Sequence, residues 1–196
     1  MSNKYIDVIH GDVKPQNVLV FKDTTGETIV KVADFGYSTL VAGGPLARGE
    51  APAAGDEPAG HPANEAGNVF LPKSRPWNAP EHHFGGFTPP EAKLTDVYSF
   101  GMLCLWVLVG SVPVVQNSTE YEFKGSTGAL TSLEQLKYDD KMEHFANQLM
   151  ESMSLERINA EHRTRLKEFF SLTIALNPTK RTSDFGKLLD LLNQTR

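Results

Sequence analysis

Two acids, an amide and a lysine fall close together near the start of this chain, in His10-Gly11-Asp12-Val13-Lys14-Pro15-Gln16-Asn17 and then in Ala33-Asp34-Phe35-Gly36. Carboxylate and amide oxygens are hard ligands suited to Mg²⁺, an ion that also takes oxygens from substrate phosphates. Asp12, five residues ahead of Asn17, is a candidate acceptor for the proton of an attacking hydroxyl. Lys14 directs a fixed positive charge at the same region, where it would stabilise a phosphoryl group in transit. Types and spacing together suit phosphoryl transfer.

The flanking segments predict how these groups are held. Val8-Ile9 reads as a short strand ending at His10, and 18–21 and 28–32 read as two further strands. Between them 22–27 carries Asp23, Thr24, Thr25 and Gly26, turn chemistry that predicts a β-hairpin. Asn17 precedes the first strand of that hairpin and Asp34 follows the second, so an antiparallel pairing brings the two side by side. Taken one at a time, Asp12, Asn17 and Asp34 are ordinary turn formers; it is their combination that points to catalysis.

The rest of the chain is expected to be mostly helical. Residues 96–109 predict a buried helix with Thr95 or Asp96 near its N-cap and Gly110 near its end. Residues 132–150 predict a second, amphipathic helix, 155–176 contain a third stopped by Asn177-Pro178, and 183–192 predict a fourth with Ser183 as its cap. Strands come first and helices after, an α+β order in which helix dominates. In 41–66, seventeen of 26 residues are Ala, Gly or Pro, which marks a low-complexity, disordered insertion.

Composition bounds the function classes. With 196 residues, 40% hydrophobic and 22% charged, the chain has the make-up of a soluble domain or large lobe with a real core. A net charge of −5 argues against a nucleic-acid binder. The most apolar run, 97–109, is interrupted by Ser99 and Gly101 and is too short for a bilayer, and no signal peptide is recognisable, so no membrane partner is expected. The single Cys104 rules out an internal disulfide framework. His82-His83 lack flanking ligands and read as a solvated loop; the charged stretch 156–167 reads as a solvated helix face.

The 10–17 segment resembles the catalytic loop of the eukaryotic protein kinases, and Asp34-Phe35-Gly36 resembles their metal-binding turn. The resemblance implies Asp12 as catalytic base, Lys14 as its partner in the serine/threonine-type pattern, Asn17 and Asp34 as Mg²⁺ ligands, and Leu19 as the floor of the adenine. It extends through Ala79-Pro80-Glu81, the end of an activation segment, with Ser74 and Trp77 shaping the protein-substrate site. Asp96-Val97-Tyr98-Ser99-Phe100-Gly101 is similar to the start of the family's central helix, where the aspartate accepts backbone hydrogen bonds from the catalytic loop. Arg181 matches the arginine that pairs with Glu81 in a buried bidentate bridge. Asp184-Phe185-Gly186, with no strand leading into it, is a chance repeat of the metal-turn triplet.

The resemblance implies a protein-kinase-like large lobe with a β-hairpin at its N-terminal end, ATP and Mg²⁺ as cofactors, a protein substrate, and a cytoplasmic or nuclear location. Two departures qualify it. Gly11 stands where most regulated kinases carry an arginine that holds a phosphorylated activation loop. Only nine residues precede His10 and no Gly-x-Gly-x-x-Gly occurs, so 1–196 is expected to be a partial kinase domain without its small lobe. Apolar surface left bare by that lobe invites a covering partner, and the chain alone is expected to bind Mg-ATP weakly. The competing readings are a non-catalytic, kinase-derived binding module or truncated gene product, and a small-molecule phosphotransferase.

Overall fold

The computed structural model describes residues 8–40, 68–83, 86–110, 127–153 and 158–193, so the low-complexity 41–66 segment lies outside the described residues. The fold is mostly helical with a short antiparallel hairpin near its start, as the sequence implied. Strands β2 (Val18–Lys22) and β3 (Thr28–Val32) pair antiparallel with Val18 opposite Val32. Asp23 builds the turn: its Oδ1 accepts from the backbone N–H of Thr25 and Glu27 at 2.8 and 2.9 Å. Strand β1 (Val8–Ile9) pairs with β4 (Thr39–Leu40), a two-residue partner that carries too little alternation to be read from sequence.

The long helix α1 (Pro89–Gly110) is the centre of the core, with Val97, Tyr98, Met102 and Leu105 fully buried. It starts well before 96. Glu91 supplies its half of a capping box, its Oε2 accepting from the Thr88 N–H at 2.9 Å and from the Thr88 hydroxyl at 2.7 Å, while Pro89 occupies the first helical position. Thr95 is therefore inside the helix, its hydroxyl donating back to the Ala92 carbonyl at 2.7 Å. Gly101 lets the helix approach the Thr173-Ile174 segment closely: a Cβ there would lie 2.5 Å from Thr173 Oγ1. Among the described residues no helix is long and apolar enough to cross a membrane.

The predicted 132–150 helix is two helices, α2 (Thr127–Tyr138) and α3 (Met142–Ser152). Asp140 separates them in the left-handed region at φ 55°. The Lys141 N–H donates to the Leu136 carbonyl at 2.8 Å and the Asp140 N–H to Lys137 at 3.3 Å, a Schellman ending with aspartate where glycine is usual. Helix α4 (Ala160–Ser171) is shorter than the 155–176 span and is capped by Asn159, whose side chain accepts from the His162 N–H at 2.8 Å. Helix α5 (Phe185–Asn193) is capped by Asp184, not Ser183: Asp184 Oδ1 accepts from the Lys187 N–H at 3.1 Å. The second Asp-Phe-Gly is thus a helix start. Phe169 and Phe170 of α4, Leu188 of α5 and Leu149 of α3 close the core over α1. Cys104 is half-buried, and burial pushes its thiol up to about 12.

Candidate active site

The 10–17 loop is hung on α1. Asp96 Oδ2 accepts the His10 backbone N–H at 2.6 Å and Oδ1 accepts that of Gly11 at 2.8 Å. Burial pushes this carboxyl up to about 6, against the pull of the Gly11 and His10 donors. The His10 side chain fixes the loop's other edge: its Nε2 lies 3.0 Å from the Ala33 carbonyl and its Nδ1 accepts the Asp12 N–H at 3.3 Å, an arrangement that fits a proton on Nε2. Its ring packs 4.9 Å from that of Phe35. One histidine thus ties the loop to the Ala33-Asp34-Phe35-Gly36 turn.

Gly11 has φ +80°, and a Cβ there would lie 2.9 Å from Leu71 Cδ2 and 3.1 Å from the Tyr37 carbonyl oxygen. A side chain at this position meets both a strained backbone and occupied space. Gly11→Ala is expected to destabilise the fold by about 2 kcal/mol, measured by denaturant unfolding. A change below about 0.5 kcal/mol, the range of an indifferent surface substitution, would contradict that geometry.

Asp12 is buried, and its two oxygens differ. Oδ2 accepts from Lys14 Nζ at 2.6 Å and from Asn17 Nδ2 at 3.3 Å. Among the described residues Oδ1 has no hydrogen-bond partner. An unpaired buried carboxylate oxygen is costly, and in a catalytic setting it is the atom free to receive a proton. Lys14 Nζ also donates to Ser74 Oγ at 3.2 Å, so the segment before Glu81 touches the 10–17 loop through the Asp12 partner. The structure therefore brings Asp12, Lys14, Asn17 and Ser74 into one network, and Ser74 joins it through Lys14.

Asn17 closes a three-residue turn of 3₁₀ helix (Pro15–Asn17) and donates through Nδ2 to the Asp12 carbonyl at 2.8 Å, which turns its Oδ1 away from Asp12. The Asn17 carbonyl accepts the Ala33 N–H at 2.8 Å, so the two ends of the hairpin meet where the strand order predicted. Asp34 follows at φ 62°, a left-handed position that aspartate tolerates, and its exposed carboxylate is engaged only by a long 3.4 Å contact from the Gly36 N–H among the described residues. An amide oxygen and an underused carboxylate at one hairpin end are a donor set that fits Mg²⁺. Leu19 is exposed on β2 opposite Lys31.

The sequence model of the protein kinase domain family matches residues 3–194. The chain belongs to the protein kinase family. It is also similar to a probable leucine-rich repeat receptor-like protein kinase of Arabidopsis thaliana, at 26% identity over 181 residues. That match covers 84% of this chain and 22% of the relative, so the chain spans about a fifth of the curated relative's length.

This kinase chain anchors Glu81 as the sequence implied. Arg181 Nη1 and Nη2 bond Glu81 Oε1 and Oε2 at 2.5 and 2.9 Å. Its other donors reach the carbonyls of Ala175 at 2.8 Å, Leu94 at 3.1 Å and Leu176 at 3.2 Å. All five guanidinium donors are thereby used. The cation also sits 4.7 Å from the centre of the Tyr98 ring. Trp77 is buried rather than open to solvent, packing edge-on against Trp106 of α1 at 6.1 Å.

His82 departs from the sequence reading. It is buried, not solvated, and among the described residues neither ring nitrogen has a hydrogen-bond partner. The ring lies 5.1 Å from that of Phe87. Burial holds its pKa below the usual 6.5, against the pull of Glu81. A histidine depressed in the folded state contributes stability above the unfolded value and loses it as pH falls through 6.5 toward the folded one. The stability of wild type relative to His82→Leu should therefore fall from pH 7.5 to about pH 5. Paired denaturant titrations read this; a difference independent of pH would refute it. Asp96, raised, works in the opposite sense, its contribution weakening as pH climbs toward about 6, and it cancels in the paired comparison.

Asp96, Glu81 and Arg181 were read as anchors from the sequence, but the anchoring roles of the His10 ring and of Lys137 were not. His10 was read as a strand end and the first residue of the 10–17 motif, with no role for its ring, and Lys137 only as one residue of an amphipathic helix. For Lys137 a signal existed: it falls four residues after the buried Leu133 and so on the apolar face.

Proposed function

We propose that this protein is an ATP-dependent serine/threonine kinase, moving the γ-phosphoryl of ATP to a hydroxyl of a protein substrate. The observation that carries the reading is the asymmetry of Asp12: Oδ2 held by Lys14 and Asn17, Oδ1 buried and unpartnered among the described residues. In this reading Oδ1 receives the acceptor hydroxyl's hydrogen bond and then its proton, as the oxygen bonds to phosphorus and ADP departs. Lys14, neutralising Oδ2, also places positive charge beside the moving group. Asn17 Oδ1 and the Asp34 carboxylate would hold Mg²⁺, which supplies charge neutralisation for the phosphates when bound. Leu19 would offer an apolar surface to the adenine. Lysine two residues after Asp12, with Ser74 on its ammonium, supports serine or threonine rather than tyrosine as acceptor. An intracellular setting, where ATP is available, belongs to the same proposal.

Acceptor chemistry is the direct test. The full-length protein, incubated with Mg-ATP and a mixture of serine, threonine and tyrosine peptides, should yield phosphoserine and phosphothreonine by mass spectrometry. Phosphotyrosine as the main product would overturn the acceptor assignment.

A further inference from the structure

Helix α2 carries a lysine where its buried face calls for an apolar residue. The Lys137 side chain is 1% exposed. Its three ammonium donors are all engaged: one by the Pro76 carbonyl, one by the Asn78 carbonyl at 2.9 Å, one by Glu134 Oε1 at 2.9 Å. The ammonium also lies 5.8 Å from the centre of the Tyr98 ring, the ring that Arg181 covers at 4.7 Å.

The two carbonyls belong to the segment between Ser74 and Glu81. Pro76 and Asn78 are buried, and buried carbonyls need donors. The same segment folds on itself, the N–H groups of Trp77 and Asn78 both donating to the Ser74 carbonyl at 2.9 and 3.0 Å. Ser74 Oγ then meets Lys14, which holds Asp12. An unbroken polar path thus runs from α2, through the 75–78 backbone, to the candidate base.

We propose that Lys137 is a positioning residue for the acceptor site, its buried ammonium clamping the 75–78 backbone so that Ser74 is presented to Lys14 and Asp12. This rests on the kinase reading. A neutral side chain of equal length would strand two carbonyls, and the loop would relax away from the catalytic loop. Glu81 and Arg181 fix the end of the segment; Lys137 fixes its middle. Burial lowers the lysine's pKa, with Glu134 opposing, so the ammonium is held here by its partners rather than by solvent.

The test compares Lys137→Met with Glu134→Gln in the full-length protein, using a serine peptide drawn from a degenerate mixture. Lys137→Met should raise KM for the peptide about tenfold, leaving KM for ATP unchanged and kcat within about twofold. Hydrogen exchange at the Trp77 and Asn78 amides should quicken while that of Leu188 in α5 stays the same. Glu134→Gln removes the ion pair but keeps both carbonyl contacts, and should change peptide KM by less than about twofold. A Lys137→Met protein with normal peptide KM, or with exchange faster everywhere alike, overturns the proposal in favour of a purely structural lysine. If Lys137→Met does not accumulate folded, Lys137→Gln, which keeps a donor, carries the same comparison. Failure of the wild type to transfer phosphate would overturn the kinase reading instead, and exchange at Trp77 and Asn78 would then decide the clamp by itself.

Discussion

Arg181→Ala should cost the protein about 3–5 kcal/mol of stability, the range found when one partner of a buried ion pair is removed. The reason is the completeness of the arginine's surroundings. Five donors serve Glu81 and three backbone carbonyls, and its side chain is fully buried. Alanine leaves the Glu81 carboxylate charged and mostly enclosed, the carbonyls of Ala175, Leu94 and Leu176 unpaired, and the Tyr98 ring uncovered. Arg181→Lys keeps the charge but not the fork, so it should recover only part of the loss. The double variant Glu81→Met/Arg181→Met should be more stable than Arg181→Ala, because it removes both charges together. At this chain length the single variant should melt roughly 10 °C below wild type in a thermal scan. A melting temperature within about 2 °C of wild type would show the pair to be an accessory contact.

Asp12→Asn should lower the rate of phosphoryl transfer by about 10²–10⁴-fold with little change in fold. Asparagine has nearly the same shape and still offers one oxygen to Lys14 and Asn17, so the loop geometry can persist. What is lost is the atom able to take a proton. The NH₂ group that replaces Oδ1 only donates, so the acceptor hydroxyl meets no base there. The reading distinguishes this from a binding defect: kcat should fall while KM for ATP stays near its wild-type value, checked by initial rates over a range of ATP. A variant that keeps more than a tenth of the wild-type rate would transfer the base role away from Asp12.

The arrangement of the candidate site was legible in the sequence because it is local. His10 through Asn17 and Ala33 through Gly36 are contiguous runs, and the Asp23 to Gly26 turn chemistry between them sets which ends of the hairpin meet. The pairing of Val18 with Val32 and the bond from Ala33 N–H to the Asn17 carbonyl follow from that turn. The 100-residue contact between Glu81 and Arg181 was legible only through the family resemblance, since nothing local joins them. Helix ends were read less well. Thr88-Pro89-Pro90-Glu91 has the spacing of a capping box, but two consecutive prolines weigh as breakers until they are seen at the first turn, where their missing N–H groups cost nothing. The break at Asp140 was invisible because aspartate in the left-handed region is uncommon, and the apolar stripe continues past it. The burial of His82 and Lys137 was hidden for another reason: no periodic pattern marks the turn that brings Phe87 onto the His82 ring, and the Pro76 and Asn78 carbonyls that cover Lys137 come from a segment distant in sequence.

Among these results, transfer itself bears most directly on the central claim that the Asp12 site moves phosphate to a hydroxyl. The measurement is the initial rate at which full-length wild type and Asp12→Asn, both verified as folded by circular dichroism, label a serine peptide mixture from Mg-ATP. Transfer should require Mg²⁺ in the wild type and fall at least about a hundredfold in the variant. Equal rates in the two proteins, or a folded wild type that transfers nothing, would contradict that claim.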